Sequence, residues 1–198
     1  MSFQRVLIAA SLAGALMLPL TAVQAQTSLG DKSVPGVCML SRGAVMSQSK
    51  VGQAADQRLK QLVQQSSSQL KAEQKPLSQA VQTFQKNAKS MDDATRQSKQ
   101  KALQQRLQAF QQKKQKLNVR VRITRGKAMK RIGEAIDPIV ANVYKQRSCG
   151  ILLDRDTVLG GNNANDLTAA VIKGLDAKMS TISFNLAPYP QQQSQQSK

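Results

Sequence analysis

From Leu103 onward, apolar residues recur in steps of three and four: Leu107, Phe110, Leu117, Val121, Ala128, Ile132, Ala135/Ile136, Ile139 and Val143, with Lys114 and Arg125 filling two slots of the same rhythm. That spacing is the stripe of an amphipathic or coiled-coil helix. It runs without a phase break through "NVRVRITRGK" (Asn118–Lys127), whose alternation of Val119, Val121 and Ile123 with Arg120, Arg122 and Thr124 would by itself read as a strand. Three alternating residues lose to a helical period held for about forty. A second stripe precedes the first: Leu59, Leu62/Val63, Leu70, Leu77, Val81, Phe84 and Ala88. Between the two, "NAKSMDDAT" breaks the pattern, and Asp92 is placed to cap the second helix with Asp93 favourable in its first turn.

At ~1.5 Å per residue the segments 50–89 and 92–146 span roughly 60 and 80 Å. Both exceed the diameter of a small domain, so the expected shape is an antiparallel helical hairpin standing out from a body. Pro76, Gly126, Gly133 and Pro138 lie inside the two helices and are expected to bend them locally.

The ends of the chain carry strand signals. "PGVCML" (Pro35–Leu40) reads as a short buried strand, "ILLD" (Ile151–Asp154) as an apolar strand, and "TVL" (Thr157–Leu159) as a further short one. "SRGAVMSQS" reads as a short helical turn, with Ser49 capping the helix that starts at Lys50, and Gly150 as a helix stop or strand entry. "GGNNAND" is a loop, and "LTAAVIKGLDAK" an amphipathic helix capped by Asp166 or Thr168. The fold class is α+β and mostly helical, with the hairpin inserted between strands. So few strands cannot stand as an independent sheet, which points to a second copy of the chain as the missing partner. The expected organisation is a signal peptide at 1–25, a polar leader at 26–35, a β-rich body from 36–49 and 147–180 that includes the C-terminal helix, a helical arm at 50–146, and a segment 181–198. That last segment holds a short strand at "TISFN" and then a disordered, low-complexity tail.

Arg5, the apolar run from Val6 to Leu20 and the small-residue pattern Val23-Gln24-Ala25 mark a secretory signal cleaved near Ala25. Export, in turn, changes the meaning of the charge. The net +18 would suggest nucleic acid in a cytosolic protein; outside the inner membrane the acidic partners are lipid head groups, lipopolysaccharide or acidic polypeptides, and no nucleic acid is expected. Cys38 and Cys149 permit one intramolecular pairing, favoured by an oxidising compartment over two free thiols. That bridge would staple the two roots of the hairpin together.

No enzyme chemistry is legible. The chain has no histidine, which removes histidine triads, histidine metal sites and the commonest general base. Asp154 and Asp156 in "LDRDT" read as a turn whose carboxylates bond their own backbone, and "LGGNNAND" lacks the Gly-Lys-Ser/Thr of a phosphate loop. No cofactor and no metal are expected.

The order of segments resembles the OmpH-type (Skp-like) periplasmic chaperones. The residues that carry the resemblance are "VCML", "SKVGQAA" (Ser49–Ala55), the Gln/Lys-rich hairpin and above all "GILLDRDTVLGG…NDLTAAVIKGLD" (Gly150–Asp176), over about 36–178. The resemblance implies a homotrimer with a small intersubunit β-body and three arms around a cavity, holding unfolded outer-membrane proteins in the periplasm without ATP. Val37, Met39, Ile151 and Leu153 are the candidates for the trimer body. The paired cysteines and the tail beyond Met179 have no counterpart in the family pattern.

A holding surface would follow from the arm's composition. Lys50 to Arg131 carries twenty Lys and Arg against Asp56, Glu73, Asp92 and Asp93, a net +16. Lys86, Lys89, Arg106, Lys113, Lys114, Arg120, Arg122 and Arg125, with the apolar Phe84 and Phe110, are the candidates for client contact; Leu70, Val81, Leu103 and Leu107 could join them. The competing reading is an envelope tethering coiled coil that binds lipopolysaccharide or cell wall.

Overall fold

A computed structural model describes residues 32–190. The expected signal peptide, the leader up to Asp31 and the tail 191–198 lie outside the described residues.

The nine elements among the described residues reduce to one idea: a parallel strand pair whose crossover has been drawn out into an arm. Strand β1 (Val37–Leu40) pairs in parallel with β2 (Ile151–Asp154), Val37 opposite Ile151 and Leu40 opposite Asp154. Parallel strands need a long crossover, and here it consists of α1 (Arg42–Gln48), α2 (Lys50–Asn87) and α3 (Asp93–Gln146). Helix α4 (Thr168–Lys178) closes the body.

Ser49 makes the corner between α1 and α2. Its backbone is extended at φ −67°, ψ 151°, its N–H donates to the Val45 carbonyl, and its buried Oγ accepts from the Gly52 N–H at 3.2 Å. The corner is tight enough that a Cβ on Gly52 would lie 1.6 Å from the Met46 carbonyl oxygen. Only glycine fits there.

Helix α2 runs for 38 residues and α3 for 54, roughly 57 and 81 Å at the usual rise. They lie antiparallel: Glu73 pairs with Lys113, Leu77 lines one concavity with Phe110, and Phe84 another with Leu103. Asp92 caps α3 as expected, its carboxylate accepting from the Thr95 N–H at 2.8 Å. "NVRVRITRGK" is helical throughout. Pro76 and Pro138 are both accommodated inside helices.

The dry core sits at the root of the arm. Val45, Val51, Ile132, Val171, Leu167 and Leu175 are essentially inaccessible there. Cys38 in β1 is bonded to Cys149 just before β2, with 5.8 Å between the Cα atoms. Gly36, at φ +76°, turns its carbonyl onto both the Gly150 and Ile151 N–H groups. Gly150 therefore opens the strand, while the left-handed residue after α3 is Ser148 (φ +52°).

Four expectations need correction. Thr157–Leu159 forms no strand: the Asp154 carboxylate accepts from the Asp156 N–H, Thr157 Oγ1 donates to the Asp154 carbonyl, and Val158 N–H donates to that of Arg155, winding a 3-10 turn instead. "TISFN" forms no strand either: its Phe184 carbonyl accepts from the Arg58 side chain on the arm rather than from a neighbouring strand. Between Leu117 and Ala128 the buried position is Thr124, with Arg125 exposed. A threonine can be buried there because its Oγ1 donates to the Arg120 carbonyl four residues back at 2.7 Å, whereas a guanidinium would lose its hydration. Finally, the residues beyond Leu186 do not leave the body at once: Ala187 is buried against α3.

Helix α4 is capped one residue early, Asp166 Oδ1 accepting from the Thr168 N–H at 2.8 Å. Leu167 N–H donates to the Met39 carbonyl, and Met39 bridges to Asp166. Thus β1 is covered on both edges. Among the described residues, β2 has a strand neighbour on one edge only.

Candidate functional site

The distal arm has almost no dry seam. In α3 every buried residue lies from Thr124 to Val143, and in α2 none lies beyond Leu77. Toward the tip the two helices face each other with nothing behind them among the described residues, so Val81, Phe84, Leu103 and Phe110 are half-buried and Leu107 is 40% exposed. Apolar stems thus line shallow concavities along the rod. One is bounded by Phe84, Leu103 and Met91 with Lys99 and Arg106 at its rim. Another lies between Pro76, Leu77 and Phe110, with Arg106 and Lys113 beside it.

The structure therefore brings together Phe84, Arg106, Phe110 and Lys113 from the expected contact set. Lys113 is also tied to Glu73 across the hairpin; this exposed pair adds little to stability. Lys86, Lys89, Lys114, Arg122 and Arg125 are exposed on the rod without joining these concavities. Asp92, at the tip, is held below its ordinary carboxylate value chiefly by the Thr95 backbone N–H.

Arg120 has a different role from its neighbours. Its Nε donates to the Ala187 carbonyl at 2.8 Å and its Nη2 reaches that of Leu186 at 3.5 Å. From the facing helix, Arg58 Nε donates to the Phe184 carbonyl and Nη2 to Asn185 Oδ1, both at 3.0 Å. Thr124 Oγ1 accepts the Ala187 N–H at 2.8 Å. Lys116 Nζ stands 5.5 Å from the centre of the Tyr189 ring. Residues 182–189 are thereby strapped into the groove between α2 and α3. Sequence reasoning missed Arg58, Thr124 and this strap. The available signal is the alternation Ile182, Phe184, Leu186, which begins in the "TISFN" segment expected as a strand.

At the root, strand β2 is exposed on both faces: Ile151 at 56%, Leu152 at 37% and Leu153 at 39%. Three consecutive apolar residues of a strand in water are a surface prepared for association. Val37 on β1 is half-buried beside them, and Met39 is already buried within the chain, against Gly161.

A family profile described as outer membrane protein (OmpH-like) matches residues 36–175. Among solved structures, an OmpH-like protein of Caulobacter crescentus CB15, designated a candidate outer membrane chaperone, superposes with a TM-score of 0.76 at 31% identity, covering 81% of this chain and 95% of that one. No curated protein matches the sequence.

Proposed function

The chain belongs to the OmpH-like outer membrane protein family, and from that premise we propose that it is an ATP-independent periplasmic holdase for unfolded outer-membrane proteins. The observation that carries the reading is the distal arm, where half-buried Phe84, Leu103 and Phe110 lie among Lys99, Arg106 and Lys113 with no dry core behind them. Such a surface gives short-range apolar contact without a fixed shape, which suits a client that has none.

Charge supplies the long-range part. The net +16 of Lys50–Arg131 draws an acidic, unfolded chain toward the arm and is screened over about 8 Å at physiological salt. The working unit is a homotrimer, assembled by burying Ile151, Leu152 and Leu153 of each β2 against the next copy. Arms of one sign, rooted close together, repel and splay, opening the space between them. In this reading the segment 1–25 directs export and is removed near Ala25.

The test is aggregation of a denatured porin-type barrel diluted into buffer, followed by light scattering at low and high salt. Suppression that weakens with salt is expected. No suppression at any ionic strength overturns the holdase reading. Stable co-sedimentation with lipopolysaccharide or murein, without client protection, would favour a tether instead.

A further inference from the structure

We propose that the groove between α2 and α3 bounded by Arg58, Arg120 and Thr124 is a binding site for an extended polypeptide of alternating apolar pattern, occupied in cis by the chain's own residues 181–190, with which client strands compete. This deepens the holdase reading and rests on it for the identity of the competitor.

The groove reads main chain. Four of the contacts that hold the strap go to its backbone: Arg58 to the Phe184 carbonyl, Arg120 to those of Leu186 and Ala187, and the Ala187 N–H to Thr124 Oγ1. Any extended chain offers the same carbonyls and amides at the same spacing. Side chains contribute by period rather than identity. Ile182 and Phe184 pack against the core cluster, Leu186 is half-buried, and Thr181, Ser183 and Asn185 between them face water. Apolar residues alternating with polar ones over about ten positions are the signature of a membrane-barrel strand. Over Thr181–Leu186 the strap carries a six-residue stretch of that alternation, and the groove contains the donors and the acceptor that fix such a segment.

Hydrogen exchange on the unaltered full chain reads the competition directly. Saturation with an unfolded outer-membrane barrel polypeptide is expected to speed exchange of the Ala187 amide, which Thr124 Oγ1 holds, by up to about tenfold, while those around Ile132 stay protected. Client bound with the strap's protection unchanged overturns the groove proposal and leaves the holdase reading intact. If no client binds, the holdase reading fails and a second measurement decides the groove alone: a labelled decapeptide of residues 181–190. In a full chain carrying Phe184→Ser and Leu186→Ser, it is expected to bind about tenfold more tightly than to the unaltered chain, the factor for a cis occupant present about nine-tenths of the time. Adding Arg120→Ala should remove that gain. Equal affinity for released and unaltered chains, or a gain that survives Arg120→Ala, overturns the proposal. Should the double variant fail to fold, Ile182→Ser in an otherwise unaltered chain serves as the released form.

Discussion

Thr124 Oγ1 accepts the Ala187 amide at 2.8 Å while handing its own proton to the Arg120 carbonyl at 2.7 Å, so one buried hydroxyl ties the end of the described chain to the middle of the longest helix. Replacing it by valine keeps the volume and removes the acceptor. Thr124→Val leaves a buried N–H unpaired, at a cost of about 1–3 kcal/mol. The expected effect is local: faster exchange at the Ala187 amide and an unchanged melting transition for the root.

The Cys38–Cys149 bridge closes a separation of 111 residues. Constraining an unfolded loop of that size is worth up to about 4.7 kcal/mol in the chain-entropy treatment, with measured values more often about 2–4. Reduction, or Cys38→Ser with Cys149→Ser, is expected to lower the denaturant midpoint accordingly. Helicity at room temperature should be retained, since most arm contacts lie outside the loop's base.

Gly52→Ala places a methyl into the Met46 carbonyl. Overpacking of this kind costs about 1–3 kcal/mol, and the backbone here is less able to yield than a side chain. The corner between α1 and α2 must open. Thermal denaturation of this variant should fall well below that of Gly126→Ala, where a Cβ meets nothing within 4 Å.

Leu153→Asp sets a charge on the exposed apolar strand at the root. With the proposed trimer, native mass is expected to drop from three copies to one, while the circular dichroism of the arm persists. A variant of unchanged mass would remove β2 from the interface.

Acid should act on the arm's tip. The Thr95 N–H holds the Asp92 carboxyl below its ordinary 3.8, so the charged form is favoured in the folded state. The stabilisation is then complete above the ordinary value and is lost as pH falls through the depressed one. Helicity measured downward from pH 5 is expected to lose a component in that window, and Asp92→Asn, which caps while uncharged, should flatten it.

The helical arm was legible because its information is local and repeated: steps of three and four from Leu103 to Val143, and a cap at Asp92. The strands Val37–Leu40 and Ile151–Asp154 were legible from short apolar runs, and the bridge from there being two cysteines in an expected oxidising compartment. The phase of the seam was harder. Lys114 and Arg125 fit the rhythm numerically, but a charged group avoids a dry interface and Thr124 can satisfy its hydroxyl on its own helix. The strap was invisible for another reason: its partners Arg58 and Arg120 lie 126 and 67 residues away and grip backbone atoms, which every sequence possesses. The distal concavities come from what is missing, a third layer over two helices, and apolar spacing does not encode that.

The drawn-out crossover also sets an order of events. Val37 cannot meet Ile151 until the whole arm between them has been supplied, and distant pairings are slow to form. In a chain delivered from its N-terminus, the rods can wind by neighbour contacts while β1 waits alone. Closure of the base, and with it the surface on which copies could join, therefore comes after the arm has wound. In the proposed trimer, joining would wait on the arrival of a four-residue strand.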